Sequence, residues 1–206
     1  MRAQIRNMLV LQDKMNTKIH PEWRTQGYEY YRAAWTECAE LMDHQGWKWW
    51  KKQVPDVSQV HLEIVDIWHF GLSMMIRDGP ALDLDKLANH IEDAFIEEPI
   101  NQDVSVVRMA ELMAANLIIF QVFSIGAFRD LYTKAGMTFD DLYRMYIAKN
   151  VLNFFRQDHG YKTGEYKKQW LDGREDNEHL AEIMASLDST SPDYADNIYS
   201  QLLTRY

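Results

Sequence analysis

The segment HLEIVDIWHF, residues 61–70, constrains the fold most strongly, because it places two acids in an otherwise apolar helical pattern. Glu63 and Asp66 are three residues apart, and residues at this spacing are neighbours on one face of a helix. The residues around the two acids are nearly all apolar, and a helix that is apolar all round is buried. We therefore expect a helix over about 57–77 inside the protein, with both carboxylates pointing into the interior.

A second acidic pair, Glu37 and Glu40, repeats this spacing in the segment WTECAELMDHQGWKWWKK, residues 35–52. Two like charges about 4 Å apart repel by about 4 kcal/mol at an effective dielectric of 20, so acids in an interior must be neutralised. Protonation, a nearby Lys or Arg, or a divalent cation could each do this. Taken alone, Glu37 and Glu40 fit a solvated face with surface ion pairs. Four carboxylates from two facing helices favour Mg²⁺, with Mn²⁺ as a possible substitute.

A di-iron carboxylate bundle is the nearest alternative metal site, and it needs two Glu-x-x-His spacings on separate helices. Asp66 and His69 provide one related spacing, and the sequence contains no second copy. His69 is therefore expected to be a core histidine or a partner of a metal ligand.

The rest of the chain also has the three-to-four-residue apolar period of helices, which predicts an all-α, bundle-like domain. We expect Thr138 to be an N-cap with Asp141 in the first turn, and Ser191 and Pro192 to open the last helix. The predicted helices span about 3–19, 28–44, 57–77, a stretch after Asp83, 105–130, 138–158 and two short acidic segments near the end.

Length and composition predict one domain over residues 1–206, with a core at about 3–170 and the C-terminal helices, about 171–206, as an appendage. A formal net charge of −9 argues against a nucleic acid polymer as partner. The apolar stretch 112–128 is short for a membrane span and contains polar residues, so we expect a buried core helix and no membrane. The single cysteine, Cys38, and the absence of a signal-peptide pattern favour the cytoplasm.

Cations are concentrated in residues 149–168 of this acidic chain. Lys149, Asn153 and Arg156 share one helix face, and a segment punctuated by two glycines follows them. Arg offers a fork for phosphate oxygens and Lys offers a point charge. An exposed basic helix end is the alternative interpretation. If these cations face a cluster of carboxylates and metal, triphosphate binding is the favoured interpretation.

Two stretches, ECAELMDHQGWKWWKK and EIVDIWHF, resemble the dimeric all-α dUTP diphosphatases of the all-α NTP pyrophosphatase superfamily. KNVLNFFRQDHGYKTGEYKK, residues 149–168, is similar to the phosphate-binding segment of that family, and LQDKMN is similar to its uracil-reading helix. The similarity extends from about residue 9 to residue 168.

The resemblance implies a homodimer that hydrolyses dUTP, and also dUDP, to dUMP by Mg²⁺-dependent attack at the β-phosphorus. This reaction releases pyrophosphate or phosphate, keeps uracil out of DNA and supplies dUMP for dTMP synthesis. The catalytic residues and metal ligands would be Glu37, Glu40, Glu63 and Asp66, with Glu37 taking the proton of water. The phosphate-binding residues would be Lys149, Asn153, Arg156, Tyr161, Lys162 and Lys168.

The base would be read by Gln12 and Asn16, with Trp49 and Phe70 as aromatic walls. An amide carries both a donor and an acceptor, so a fixed amide can match uracil and mismatch cytosine. Two other functions stay open. A MazG-like or dCTP-type pyrophosphatase would keep the acids and change the base reader, and a non-enzymatic helical protein would use helix 105–130 for assembly.

Overall fold

The computed structural model describes residues 1–79, 83–98 and 103–206. Across these ranges the chain forms α-helices and one short 3₁₀ turn, Trp23–Thr25, without a β-strand. This confirms the predicted all-α fold. The helices are α1 (Arg2–Ile19), α2 (Tyr30–Gln45), α3 (Val57–Asp78), α4 (Leu84–Ile96), α5 (Val106–Phe120), α6 (Ile125–Lys134), α7 (Phe139–Asp158), α8 (Asp176–Ser186) and α9 (Tyr194–Arg205).

Helix α3 lies at the centre of the fold, as its apolar sequence predicts, and contacts α1, α2, α6 and α7. Its Trp68 is completely buried and stacks on Phe128 of α6, with 4.7 Å between the ring centroids. One turn later Gly71 faces the ring of Phe123, and a Cβ at this position would lie 2.3 Å from a ring carbon. Glycine is therefore required here by the close approach of an aromatic ring to the helix backbone.

The start of α7 confirms the predicted N-cap. The Thr138 hydroxyl accepts a hydrogen bond from the Asp141 N–H at 3.1 Å, and the Asp141 carboxylate accepts one from the Thr138 N–H at 3.0 Å. The prediction for the last helix is wrong by two residues, because α9 begins at Tyr194 after Asp193. The Ser191 hydroxyl instead accepts from the Asp193 N–H at 3.2 Å, which stabilises the turn that precedes the helix.

The prediction of one long helix over 105–130 is wrong, because the helix is interrupted between α5 and α6. Gln121 adopts a left-handed conformation with φ of 53°, and the Ser124 hydroxyl caps α6 by accepting from the Ala127 N–H. This break turns Phe123 inward against α3. The expectation that 112–128 forms a buried core helix is also wrong, because the end of α5 is exposed. Three exposed apolar residues of α5, Ile118, Ile119 and Phe120, together with Val122 just after the helix, are called the apolar patch.

No helix in the described ranges combines the length and apolar character that crossing a membrane requires. At the other end of the molecule, α8 and α9 pack against α7. The C-terminal Tyr206 stacks on Tyr166, with 5.2 Å between centroids, and its hydroxyl accepts from the Lys167 N–H. The C-terminal helices therefore support the glycine-containing segment that follows α7.

Candidate active site

A cavity of about 310 Å³ lies between α1, α2, α3, α7 and the start of α8. Acids from α2 and α3 form one wall, amides and aromatic rings from α1, α2 and α3 form a second, and cations from α7 and the following segment form a third. All the site residues predicted from sequence line this cavity except Trp49 and Lys162. The fold thus brings together predicted site residues that are up to 156 positions apart, from Gln12 to Lys168.

Three of the four predicted acids converge in the acidic wall. Glu37, Glu63 and Asp66 each present a carboxylate oxygen, and these atoms lie within 4.8 Å of one another. Glu63 is almost completely buried, whereas Glu37 and Asp66 are partly buried. Glu40 lines the same cavity from its exposed side and does not belong to the three-acid cluster.

The environment disfavours ionisation of Glu37 and Glu63. Burial raises the pKa of Glu37, and the negative charges of Asp66 and Glu63 raise it further. Burial and the charge of Asp66 also raise the pKa of Glu63, and Lys149 opposes that rise. The Lys149 Nζ lies 2.7 Å from an Asp66 oxygen, and the half-exposed His44 lies 3.5 Å from Glu63. One lysine cannot balance three carboxylates, so the oxygen-rich cluster fits a hard divalent cation.

Two cations of the basic wall are held by the first residues of α8. The Lys149 Nζ donates to the Asn177 Oδ1 at 2.8 Å. The Arg156 guanidinium donates to both carboxylate oxygens of Asp176, at 2.8 Å each. Asp176 is completely buried. Burial alone would raise its pKa, but the hydrogen bonds and charge of Arg156 outweigh that effect and hold the pKa below its usual value.

Sequence reasoning missed Asp176 and Asn177. A signal was present, because the run EDN, residues 175–177, opens an apolar-periodic segment with Glu178 at the third helical position. The structure shows a capping box between Glu175 and Glu178, which leaves the next two side chains free to turn toward α7.

The remaining predicted phosphate-binding residues occupy different positions. Asn153, Tyr161 and Lys168 line the cavity, and the Arg156 guanidinium lies 5.8 Å from the centroid of the Tyr161 ring. Lys162 does not line it, and its Nζ donates to the Ile19 carbonyl at 2.7 Å. This bond ties the segment after α7 to the end of α1. Gly160 and Gly164 permit the tight turns of this segment through φ values of 85° and 79°.

The amides of α1 are buried rather than solvated. The Gln12 Nε2 donates to the Asn16 Oδ1 at 3.1 Å, and both side chains contact Ser73 of α3. Ser73, His69 and Tyr30 also line the cavity beside Phe70, although only Phe70 among these was predicted to bind substrate.

The tryptophans after α2 do not reach the cavity in the single chain. Trp49 is 89% exposed, and Trp47 and Trp50 are also exposed. Trp50 makes edge contacts with the other two rings, and the three indoles form a surface cluster. Cys38 is completely buried, and burial raises the pKa of its thiol to about 12.

Comparison with protein families gives a match over most of the chain. A family model described as dUTPase covers residues 4–161. The chain belongs to the dUTPase family. The protein is therefore a dUTP diphosphatase, and its all-α fold agrees with this membership. A search of curated proteins finds no match.

The matched range of this dUTPase begins in α1 and ends in the segment after α7, so it includes most of the cavity. Lys168, Asp176 and Asn177 lie beyond it, and the last two hold Lys149 and Arg156 from outside the matched range. Members of the family generally use a divalent metal, and the cluster of Glu37, Glu63 and Asp66 is a possible place for one.

Proposed function

We propose that this dUTPase is Mg²⁺-dependent and hydrolyses dUTP to dUMP and pyrophosphate, and dUDP to dUMP and phosphate. The observation that supports this proposal is the position of Lys149 and Arg156 in the same cavity as three converging carboxylates. Glu37, Glu63, Asp66 and the more exposed Glu40 would hold Mg²⁺, or Mn²⁺ in its place. When bound, such an ion withdraws charge from phosphate oxygens and makes water more acidic.

The residues of the chain would then orient and deprotonate the reactants. Glu37 takes the proton of a water whose oxygen forms a bond to the β-phosphorus. The bond from that phosphorus to the oxygen it shares with the α-phosphorus breaks, and the departing oxygen stays with dUMP. Arg156 and Lys149 donate to oxygens of the phosphate chain, which holds it in line. Asn153, Tyr161 and Lys168 complete this binding surface.

The base is proposed to lie against Phe70 and to be read by the amides of α1. Asn16 lines the cavity and carries the donor and acceptor groups that the edge of uracil requires. Roles for Trp49 and Lys162 in substrate binding stay predictions, because neither side chain lines the cavity of the single chain.

We also propose that this dUTPase assembles as a homodimer. The apolar patch at the end of α5 supports this, because contiguous exposed apolar residues mark interaction surfaces. Ile119→Asp should abolish assembly, and sedimentation that shows a monomer for the unaltered chain would contradict the proposal. A cytoplasmic enzyme that keeps uracil out of DNA and supplies dUMP for dTMP synthesis is consistent with the single buried thiol.

The decisive experiment is hydrolysis of a nucleoside triphosphate panel with Mg²⁺ and with excess chelator. We expect preference for dUTP, no turnover in chelator and no turnover by Glu63→Gln. Glu111→Gln is the matched control, because this glutamate is exposed on α5 and outside the cavity. Full activity of Glu63→Gln would refute the proposed metal site.

Two further results would redirect the proposal. Broad hydrolysis or preference for dCTP would favour a different base reader on the same acidic scaffold. In water labelled with ¹⁸O, the label should appear in pyrophosphate, and label in dUMP would contradict attack at the β-phosphorus alone.

A further inference from the structure

A buried polar network forms part of the amide wall of the cavity, and Ser73 of α3 is its centre. Ser73 has no exposed surface. Its hydroxyl donates to the His69 carbonyl, one helical turn earlier, at 3.0 Å. A serine hydroxyl has one proton, so this bond leaves its oxygen able only to accept further hydrogen bonds.

This constraint fixes the orientation of two amides. The Gln12 Nε2 lies 3.0 Å from the Ser73 Oγ, and the Asn16 Nδ2 lies 2.9 Å from it. Either amide, if rotated by 180°, would place an oxygen against an oxygen that has no proton to offer. The orientation is internally consistent, because it also directs the Gln12 Nε2 toward the Asn16 Oδ1 at 3.1 Å.

The other end of Gln12 is equally committed. Its Oε1 lies 2.7 Å from the His69 Nδ1 and 3.0 Å from the Tyr146 hydroxyl. Burial lowers the pKa of His69 to about 3, so the ring is neutral and its one proton lies on Nδ1, facing Gln12. The Tyr146 hydroxyl has one proton and also lies 2.9 Å from the Met8 carbonyl, so inside the protein the Gln12 amide uses both of its hydrogens and at least one lone pair of its oxygen.

Asn16 differs from Gln12 because part of its hydrogen-bonding capacity is unused. Its contacts within the described part of the chain use one of its two N–H groups and one lone pair of its Oδ1. One donor and one acceptor remain, and the side chain lines the cavity. Uracil presents the complementary groups, an N3–H donor beside a carbonyl acceptor. Cytosine presents an acceptor at N3 and an amino donor at C4, which opposes the amide orientation seen here.

We infer that Ser73 is a positioning residue that sets the amide orientation of Asn16 and thereby selects uracil over cytosine. Gln12, which also lines the cavity, helps to transmit this orientation. The inference deepens the proposed function and rests on it, because it requires that Asn16 reads the base.

The test is the ratio of kcat/KM for dUTP to kcat/KM for dCTP, measured with Mg²⁺. In Ser73→Ala the amide of Asn16 loses the partner that fixes it, and we expect the ratio to fall at least tenfold. Ser73→Cys retains a weak acceptor of similar size, and its ratio should lie between those of the unaltered enzyme and Ser73→Ala. Ile76→Val is the matched control, because Ile76 is buried on the same helix and does not line the cavity.

A general loss of stability would lower both kcat/KM values together and leave the ratio unchanged. An unchanged ratio in both folded Ser73 variants would therefore overturn the inference. Asn16→Ala separates this failure from failure of the proposed base reading. If Asn16→Ala removes discrimination and the Ser73 variants retain it, only the role of Ser73 is wrong. If Asn16→Ala also retains it, the base is read elsewhere and both proposals fail.

Discussion

Replacing Glu63 by Gln removes a charge from the centre of the acidic cluster and should stabilise the protein in the absence of metal. Its carboxylate lies within 4.8 Å of those of Glu37 and Asp66. At this separation and an effective dielectric of 20, two ionised carboxylates repel by about 3.5 kcal/mol. Lys149 offsets part of this repulsion, and protonation offsets more. We expect the free energy of unfolding in chelator at pH 8 to rise by about 1–3 kcal/mol.

Thermal unfolding followed by circular dichroism, in chelator and in Mg²⁺, is the assay for this variant. For a domain of this size 1 kcal/mol corresponds to about 2–4 °C in Tm, so the rise in chelator should be measurable. Mg²⁺ should increase the Tm of the unaltered enzyme and leave that of Glu63→Gln nearly unchanged. Glu111→Gln is the control, because Glu111 is exposed on α5 and lies outside the cavity. A lower Tm for Glu63→Gln in chelator would refute the reasoning.

The same cluster fixes the sign of the pH dependence. Burial and neighbouring acids raise the pKa values of Glu37 and Glu63 in the folded state. Between the ordinary glutamate pKa and these raised values, the folded state binds more protons than the unfolded state. The contribution of these two groups to the free energy of unfolding in chelator therefore falls as the pH rises through this window. Buried His69, whose pKa is lowered, contributes with the opposite sign, so the quantity to measure is the stability of the unaltered protein relative to that of Glu63→Gln. This difference should fall from pH 5 to pH 8, and a difference that rises would contradict the assignment.

Three further predictions concern the supports of the site. Lys149→Met removes the positive partner of Asp66, so calorimetry should show Mg²⁺ affinity at least tenfold higher while dUTP turnover is lost; weaker Mg²⁺ binding would contradict this. Asp176→Asn weakens a buried ion pair with Arg156 and should lower the free energy of unfolding by about 3 kcal/mol. It should also raise KM for dUTP more than it lowers kcat, and unchanged kinetics would argue against a positioning role. Gly71→Ala should cost about 1–3 kcal/mol in urea unfolding, because its Cβ would collide with a packed ring; an unchanged midpoint would contradict the packing.

The central features of the fold and site could be predicted because each depends on residues close in sequence. Two acids inside an apolar helix require an interior partner, which local spacing already shows for Glu63 and Asp66. A capping box is likewise a four-residue signal, as at Thr138. The basic face of α7 follows from the helical period, and the structure places its Lys149 and Arg156 in the cavity with those acids.

The features that could not be predicted depend on contacts between distant segments. The break after Phe120 follows from the space that Gly71 leaves for the ring of Phe123, 52 residues later. The role of Asp176 depends on how α8 meets α7, which no local pattern specifies. Ser73 is an unremarkable serine in the sequence, and its importance appears only when two amides from α1 are packed against it.

Lys149 connects the acidic and basic walls of the cavity. Its ammonium is almost completely buried, and a buried charge must be paired. Asp66 supplies the charge and Asn177 supplies a neutral acceptor. A cation bound at Asp66 would neutralise that carboxylate in place of Lys149. Asn177 would still hold the lysine in position. The N–H group that now faces Asp66 would then be available to donate to an anionic oxygen of the phosphate chain. We therefore expect metal and phosphate binding to be coupled through this one side chain, and the coupling to depend on a helix that begins beyond the matched dUTPase range.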